Sequence, residues 1–181
     1  MIPALFLDRD GTIIYDKHNI CDPADVCLIP GMRIALVADL NAGYKLFIFS
    51  NQSGIGWGYF SWEDFYACNK QMFKLLDLPS AVFTEIKAAP ETATQPSLYR
   101  KPSPLFIEEM IAKYNLDTSR SWMIGDRKSD WEAGINAGIQ SVAVKTGKPI
   151  DSESEAFLQQ YNVPLYNDVL TFIREGLKLP V

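Results

Sequence analysis

Acidic side chains follow two apolar runs of this chain, at the points where strands are expected to end. Asp8 and Asp10 come directly after the run 4–7, and Asp126 follows the run 122–124. On a straight strand, Asp8 and Asp10 would point to the same side because they are two residues apart. Three carboxylates in one cleft repel each other unless a cation joins them, and Mg²⁺ prefers such hard oxygen ligands. The spacing therefore predicts a magnesium site at one edge of a sheet.

Two further polar residues lie at positions where they could bind a phosphoryl group. Ser50 follows the apolar run 45–49, and Lys101 precedes a proline at the end of a long irregular segment. A phosphoryl group in transfer needs fixed positive charge and hydrogen-bond donors around its oxygens. Lys101 could supply the charge and Ser50 a hydroxyl donor. Either residue alone is typical of a turn or a surface, so the hypothesis depends on the whole set.

The elements that must position these groups alternate along the chain. Strand-like runs are predicted at 4–7, 45–49, near 81–86, 122–124, 141–144 and near 163–166. Helix-like segments lie between them, at 32–42, 61–76, 103–114 and 129–137, with two more in the C-terminal part. This alternation predicts an α/β fold, a doubly wound parallel sheet with helices on both faces. In such sheets the ligand lies beyond the carboxyl ends of the strands.

Spacing also limits the size of the molecule and of its site. The chain has 181 residues, the length of one ordinary domain, so we expect a single domain over 1–181. The stretches between Thr12, Ser50 and Lys101 leave no room for a large cap domain. Residues 87–101 show no periodicity and are predicted to be a loop, which at that length is usually functional.

Composition excludes several classes of partner. The formal net charge is −5, and without a lysine and arginine surplus we expect neither a nucleic acid nor an anionic membrane as partner. No apolar stretch approaches the roughly 20 residues of a membrane helix. The cysteines Cys21, Cys27 and Cys68 form no CxxC pair, which is typical of buried thiols in a reducing compartment. These observations predict a soluble, cytoplasmic protein. A monomer or a weak oligomer is expected, but these observations do not determine the oligomeric state.

The polar strings together resemble a known superfamily. Asp8-Arg9-Asp10-Gly11-Thr12, Ser50-Asn51, Lys101 and Gly125-Asp126-Arg127-Lys128-Ser129-Asp130 match, in order and spacing, the four motifs of the haloacid dehalogenase-like phosphatases. Within them the chain resembles the D-glycero-D-manno-heptose 1,7-bisphosphate 7-phosphatase family and its relative, histidinol phosphatase. Longer strings such as Ser50-Asn51-Gln52-Ser53-Gly54-Ile55 and Thr146-Gly147-Lys148-Pro149 support this. The resemblance covers roughly residues 4–150 and implies a Rossmann-like fold.

This resemblance implies a role for each matched residue. Asp8 would be the nucleophile that forms an aspartyl-phosphate, and Asp10 would be the general acid and base. Mg²⁺ would be bound by Asp8, the main-chain carbonyl of Asp10, and Asp126. Ser50 and Lys101 would hold the phosphoryl group, with Asp130 orienting Lys101 or a metal-bound water rather than binding the metal. Substrate contacts are expected from Asp16, Lys17, His18, Asn19, Asn51, Gln52, Ser53, Arg100 and Arg127.

The chain departs from the family pattern in the loop before Lys101. Typical members hold Zn²⁺ there with cysteine and histidine, but the aligned positions are Ile86, Ala88, Ser97 and Tyr99. Structural zinc requires four such ligands, so we expect no zinc.

The activity expected is therefore that of a Mg²⁺-dependent phosphomonoesterase for a small phosphorylated sugar, with a heptose bisphosphate preferred. Histidinol phosphate or another small metabolite is the alternative substrate. A receiver-like phosphoacceptor or a non-catalytic binding domain would be a different class of protein.

Overall fold

A computed structural model describes all residues from Met1 to Val181. Its strands are β1 (Ala4–Leu7), β2 (Lys45–Asn51), β3 (Phe83–Ala89), β4 (Trp122–Gly125), β5 (Gln140–Val144) and β6 (Leu165–Tyr166). Its helices are α1 (Met32–Asn41), α2 (Ser53–Gly56), α3 (Trp62–Leu76), α4 (Leu105–Tyr114), α5 (Lys128–Asn136), α6 (Ser152–Gln160) and α7 (Val169–Thr171). A π-helical turn over Phe172–Gly176 continues α7.

The strands form one parallel sheet in the order β3-β2-β1-β4-β5-β6. The chain runs outward from β1 through β2 to β3, then returns to the other side of β1 for β4, β5 and β6. This order confirms the predicted doubly wound α/β fold. The direction of winding reverses between β1 and β4, and a crevice opens at such a point beyond the strand ends.

Both faces of the sheet are covered, which explains why its central strands are apolar without alternation. Leu5 and Leu7 of β1 join a large core with α1, α3 and the C-terminal turn. Ala4 and Phe6, which point the other way, pack with Phe106 and other residues of α4 and α5. No helix of the structure has both the length and the apolar character that crossing a bilayer would need.

Helix α3 begins where the sequence indicated. The Ser61 hydroxyl accepts a hydrogen bond from the Asp64 amide, and the Asp64 carboxylate accepts one from the Ser61 amide. This reciprocal pair satisfies two backbone donors that the helix itself cannot pair. The helix ends at Leu76, as predicted.

Strand β3 is longer than predicted at its carboxyl end. Lys87, Ala88 and Ala89 were expected in the loop, but they pair with Phe49, Ser50 and Asn51 of β2. The irregular segment therefore starts at Pro90, and the prediction for 87–89 was wrong. Apolar periodicity could not show this extension because backbone pairing with β2 is what maintains it. The short helix α2, directly after β2, was also not predicted.

Candidate active site

The site lies where β1 and β4 end side by side. Asp8 follows β1 and Asp126 follows β4, and the amide of Asp8 still donates to the carbonyl of Ile124 at 3.0 Å. Asp130 lies in the first turn of α5, where its Oδ2 accepts a hydrogen bond from the Arg127 amide at 3.0 Å. The parallel register therefore brings three carboxylates from two neighbouring strand ends to one point.

These three carboxylates form a compact, buried cluster. Oxygen atoms of Asp8, Asp126 and Asp130 all lie within 4.8 Å of one another. Burial raises the pKa of Asp126, and the charges of Asp130 and Asp8 raise it further. Burial also raises the pKa of Asp130, although Lys101 opposes the shift. The cluster thus carries more negative charge than its surroundings compensate, which favours binding of a cation.

Lys101 lies against this cluster and is itself 1% exposed. Its Nζ is 2.9 Å from Asp8 Oδ1 and 2.6 Å from Asp130 Oδ1, and it donates to the carbonyl of Phe49 at 2.6 Å. Burial alone would lower the pKa of Lys101, but the carboxylates of Asp130 and Asp8 outweigh burial and raise it. Lys101 is therefore a fixed positive charge beside Asp8.

Asn51, at the end of β2, holds the backbone of Lys101 in place. Its Oδ1 accepts from the Lys101 amide at 2.9 Å, and its Nδ2 donates to the Lys101 carbonyl at 3.1 Å. Asn51 also lines the cleft, but its amide is occupied by these two bonds. Its position supports a role in placing Lys101 in addition to the substrate contact expected from the sequence.

Asp126 has the properties of a metal ligand. Its Oδ2 accepts from the Lys148 amide at 2.7 Å, whereas its Oδ1 is buried without any hydrogen-bond partner. Gly11 and Gly147 lie so close to this carboxylate that a Cβ at either position would collide with it. Both oxygens of Asp130, by contrast, are already engaged. An unpaired buried oxygen is costly unless a ligand binds it, so Asp126 and Asp8 fit a divalent cation.

Asp10 does not join the carboxylate cluster, which corrects the straight-strand expectation. Strand β1 ends at Leu7, and the carbonyl of Arg9 then accepts from the amides of Ile13 and Ile14 in a tight turn. The Asp10 carboxylate instead pairs with Arg9 at 3.0 Å and accepts from Gln52 Nε2 at 2.6 Å. The turn, rather than strand alternation, decides where the side chain lies.

Arg9 is a member of this site that the sequence reasoning left without a role. It is fully buried, and its guanidinium lies 4.7 Å from the centre of the Phe65 ring and donates to Asn69 Oδ1 at 3.0 Å. Its position between two motif aspartates was the only available signal. Gln52 donates to Ser50 Oγ at 2.8 Å as well as to Asp10, so Ser50 belongs to the same network.

A cleft of about 450 Å³ opens above these groups. Of the expected substrate-contacting residues, all but Lys17 line it: Asp16, His18, Asn19, Asn51, Gln52, Ser53, Arg100 and Arg127. Lys17 pairs instead with Asp25 at the surface, at 3.1 Å. The cleft is also lined by Trp57, Tyr59, Phe60 and Lys148, none of which the sequence analysis assigned to the site.

The four positions where the family resemblance implies zinc ligands carry other side chains here. Ile86 and Ala88 lie in strand β3. Ser97 accepts from the amide of Arg100 at 2.8 Å, and the Tyr99 hydroxyl donates to Glu109 at 2.8 Å. The loop is instead attached to α2, because Ser53 Oγ donates to the carbonyl of Glu91 at 2.8 Å.

Comparisons with known proteins agree with this geometry. Residues 98–169 match a family model described as HAD-hydrolase-like. The chain is 34% identical over 156 residues to the D-glycero-beta-D-manno-heptose-1,7-bisphosphate 7-phosphatase of Rhodopseudomonas palustris, covering 82% of this chain and 86% of that protein. It is 38% identical over 146 residues to the enzyme of the same name from Mesorhizobium japonicum, covering 76% of this chain and 67% of that protein.

A solved structure shares the fold over nearly the whole length. The D,D-heptose 1,7-bisphosphate phosphatase from B. bronchiseptica, complexed with magnesium and phosphate, superposes with a TM-score of 0.84 at 23% identity. The match covers 98% of this chain and 99% of that one. With sequence relatives above 30% identity along most of their own length, the chain belongs to the D-glycero-beta-D-manno-heptose-1,7-bisphosphate 7-phosphatase family of HAD-like hydrolases.

Proposed function

We propose that this chain hydrolyses the 7-phosphate of D-glycero-beta-D-manno-heptose 1,7-bisphosphate through an aspartyl-phosphate on Asp8. The observation that carries the proposal is the buried cluster of Asp8, Asp126, Asp130 and Lys101 at the end of β1 and β4. The relatives' names support the choice of substrate. Phosphomonoester hydrolysis needs a nucleophile, a charge-neutralising site and an acid, and this cleft contains residues suited to each.

The metal proposed is Mg²⁺, bound by Asp8, Asp126 and the main-chain carbonyl of Asp10. The partnerless Oδ1 of Asp126 and the clustered negative charge support this assignment. When bound, Mg²⁺ offsets the repulsion between a carboxylate nucleophile and an anionic phosphate.

In the first half of the reaction, a carboxylate oxygen of Asp8 attacks phosphorus. The P–O bond to C7 breaks, and Asp10 gives its proton to the departing alkoxide. Lys101 holds Oδ1 of Asp8 at 2.9 Å, so the carboxylate is oriented and Oδ2 is left for the attack. Splitting one difficult displacement into two easier ones is the advantage of a covalent intermediate.

In the second half, Asp10 acts as the base. It takes a proton from water, the resulting hydroxide attacks phosphorus, and the bond between phosphorus and Asp8 breaks. Inorganic phosphate is released, and both aspartates return to their starting states. Arg9 and Gln52 hold the Asp10 carboxylate from two sides, which supports a fixed position for this proton carrier.

Lys101 and Ser50 serve the phosphoryl group in both halves. Lys101 is the only cation paired with the nucleophile, and Ser50 lies at the end of β2 with Gln52 donating to its oxygen. The hydroxyl proton of Ser50 has no acceptor in the protein, which supports donation to a phosphate oxygen, although Ser50 is buried and does not itself line the cleft. No zinc is proposed at 86–99, and a cytoplasmic location stays a prediction.

A panel of phosphorylated metabolites tests the proposed function. We expect phosphate release with Mg²⁺ from heptose 1,7-bisphosphate at a kcat/KM at least tenfold above that for histidinol phosphate or p-nitrophenyl phosphate. Mass spectrometry of the product should show phosphate remaining at C1. Efficient turnover of histidinol phosphate with none of the heptose would overturn the substrate assignment. A single phosphorylation without turnover would point to a phosphoacceptor.

A further inference from the structure

Two exposed aromatic side chains lie on the rim of the cleft. Trp57 is 54% exposed and Tyr59 is 66% exposed, and both line the same cleft as Asp8 and Lys101. Single exposed aromatics are common on protein surfaces. Two of them in one short segment, both facing a cleft that is otherwise mostly polar, form a local apolar surface that needs a partner.

The segment that carries them is a turn directly after α2. Gly58 has a φ of +72°, a conformation that L side chains rarely adopt, and it lies between the two aromatics. Phe60, only 8% exposed, anchors the turn. Its ring packs so closely on Gly54 that a Cβ there would collide with it and with Asn19 Oδ1. The aromatic rim is therefore attached at its base to the loop that includes Asn19.

The chemistry around the rim selects one kind of leaving group. Besides Trp57 and Tyr59, the cleft is lined by Asn19, whose Oδ1 lies against Gly54, and by the adjacent residues His18 and Ser53. A sugar ring has an apolar C–H face and an edge of hydroxyl groups, so it suits an aromatic surface beside hydrogen-bonding side chains. An open-chain polyol lacks that flat face.

We infer that Trp57 and Tyr59 form a binding subsite for the closed sugar ring of the leaving group, which makes them specificity-determining residues. The inference rests on the proposed function, because the phosphoryl group must lie at Asp8 for the ring to reach the rim. It assigns recognition of the ring to aromatic stacking, and it leaves bond cleavage to the carboxylate cluster.

The test compares a cyclic substrate with its open-chain counterpart. The matched pair is heptose 7-phosphate, whose ring is closed, and the heptitol 7-phosphate obtained by reducing it; heptose 1,7-bisphosphate is assayed alongside them. The variants are Trp57→Ala, Tyr59→Ala and the conservative Trp57→Phe, with Tyr66→Ala as a control. Tyr66 is 61% exposed on α3 and does not line the cleft.

We expect each alanine variant at the rim to lower kcat/KM for the cyclic substrate about tenfold, mainly through KM, since stacking holds the ground state and transition state alike. The open-chain substrate should change less than about twofold. Trp57→Phe should retain most of the wild-type value, and Tyr66→Ala should have no effect. Equal losses on both substrates, or no loss on the cyclic one, would overturn the inference. Wild-type enzyme that cleaves neither sugar phosphate would refute the proposed function, and the inference with it.

Discussion

Asp8 differs from the other carboxylates of the cluster because it lines the cleft and has only one oxygen, Oδ1, engaged with Lys101. Asp126 lies beneath it with one partnerless oxygen, and Asp130 has both oxygens engaged. Three chemically identical side chains thus have three different surroundings. These surroundings support a division into nucleophile, metal ligand and lysine-orienting residue.

Replacing Asp8 by asparagine should abolish turnover without unfolding the protein. Asp8→Asn keeps the shape but removes the anionic nucleophile, so kcat should fall by at least about 10³. The control is Asp77→Asn, an exposed aspartate at the end of α3, which should retain full activity. Steady-state phosphate release measures both. A mutant with a tenth of wild-type turnover, or activity that survives EDTA, would contradict the assignment.

Substitutions of Asp10 and of Asp126 should have different effects on Mg²⁺ binding. Asp126→Ala removes a proposed ligand and should weaken Mg²⁺ binding markedly, by about tenfold or more. Asp10→Asn keeps the main-chain carbonyl and should bind Mg²⁺ almost as the wild type does, while activity is lost. Isothermal titration calorimetry of the two variants gives the comparison. Equal affinities would refute the proposed division between ligand and proton carrier.

Among the elements, α1 contains a buried acid with no partner. Asp39 is fully buried, both of its carboxylate oxygens lack hydrogen bonds, and burial raises its pKa to about 8. The Asp39 charge acts on Tyr44, whose pKa burial and this carboxylate raise while Arg120 lowers it. An unfolded chain ionises this group near pH 4, so folding stability falls as pH rises from there towards the folded-state pKa. The folded protein therefore loses stability through this group across the neutral range.

Asp39→Asn should accordingly stabilise the protein in a pH-dependent way. The gain in Tm over wild type should grow between pH 5 and pH 8 and then level off, reaching at least about 5 °C. Thermal unfolding followed by circular dichroism at several pH values measures it. Asp117→Asn, at the N-cap of the short 3₁₀ helix Thr118–Arg120, is the control and should show no such growth. A gain that does not change with pH would show that Asp39 is already paired in the folded state.

The loop between β3 and α4 should be ordered without zinc. Residues 69–181 contain no cysteine or histidine, and contacts such as Ser53 Oγ to the Glu91 carbonyl hold the loop instead. Protein purified without added metal should contain no stoichiometric zinc. A zinc-selective chelator, added in the presence of Mg²⁺, should leave Tm unchanged. One zinc per chain by metal analysis would overturn the expectation.

On the scale of the whole molecule, the two halves of the sheet are joined through β1. The central strand pairs with β2 on one side and β4 on the other, and the large core includes residues from α1 as well as from the C-terminal turn. A core shared in this way favours cooperative unfolding. It also supports the proposal that 1–181 is a single domain.

The chain should therefore unfold in one transition. Trp62 lies on α3 and Trp131 is buried in α5, so tryptophan fluorescence samples both halves of the sheet. Urea curves from fluorescence and from far-UV circular dichroism should coincide. Two separated midpoints would indicate two units. Sedimentation velocity on the same sample tests the expectation of a monomer or weak oligomer.

The local pattern of apolar residues was enough to predict the central strands and the polar residues that follow them. Continuous apolar runs are needed wherever a strand is covered on both faces, so β1, β2 and β4 could be placed from sequence. Because parallel strands end at one edge of a sheet, the sequence alone was enough to predict that Asp8 and Asp126 lie together. The family resemblance rests on these same positions.

Only the tertiary structure showed how the side chains are arranged at the carboxyl-terminal edge of the sheet. The turn after β1 places the Asp10 carboxylate beside Arg9 and Gln52, and pairing with β2 extends β3 to Ala89. A turn at Gly58 lies between Trp57 and Tyr59, which both line the cleft. Each depends on contacts between residues far apart in the chain or on a single turn's dihedral angles. Hydrophobic periodicity predicts neither the long-range contacts nor the turn angles. It indicates which face of an element is buried and not which residues pack against that face.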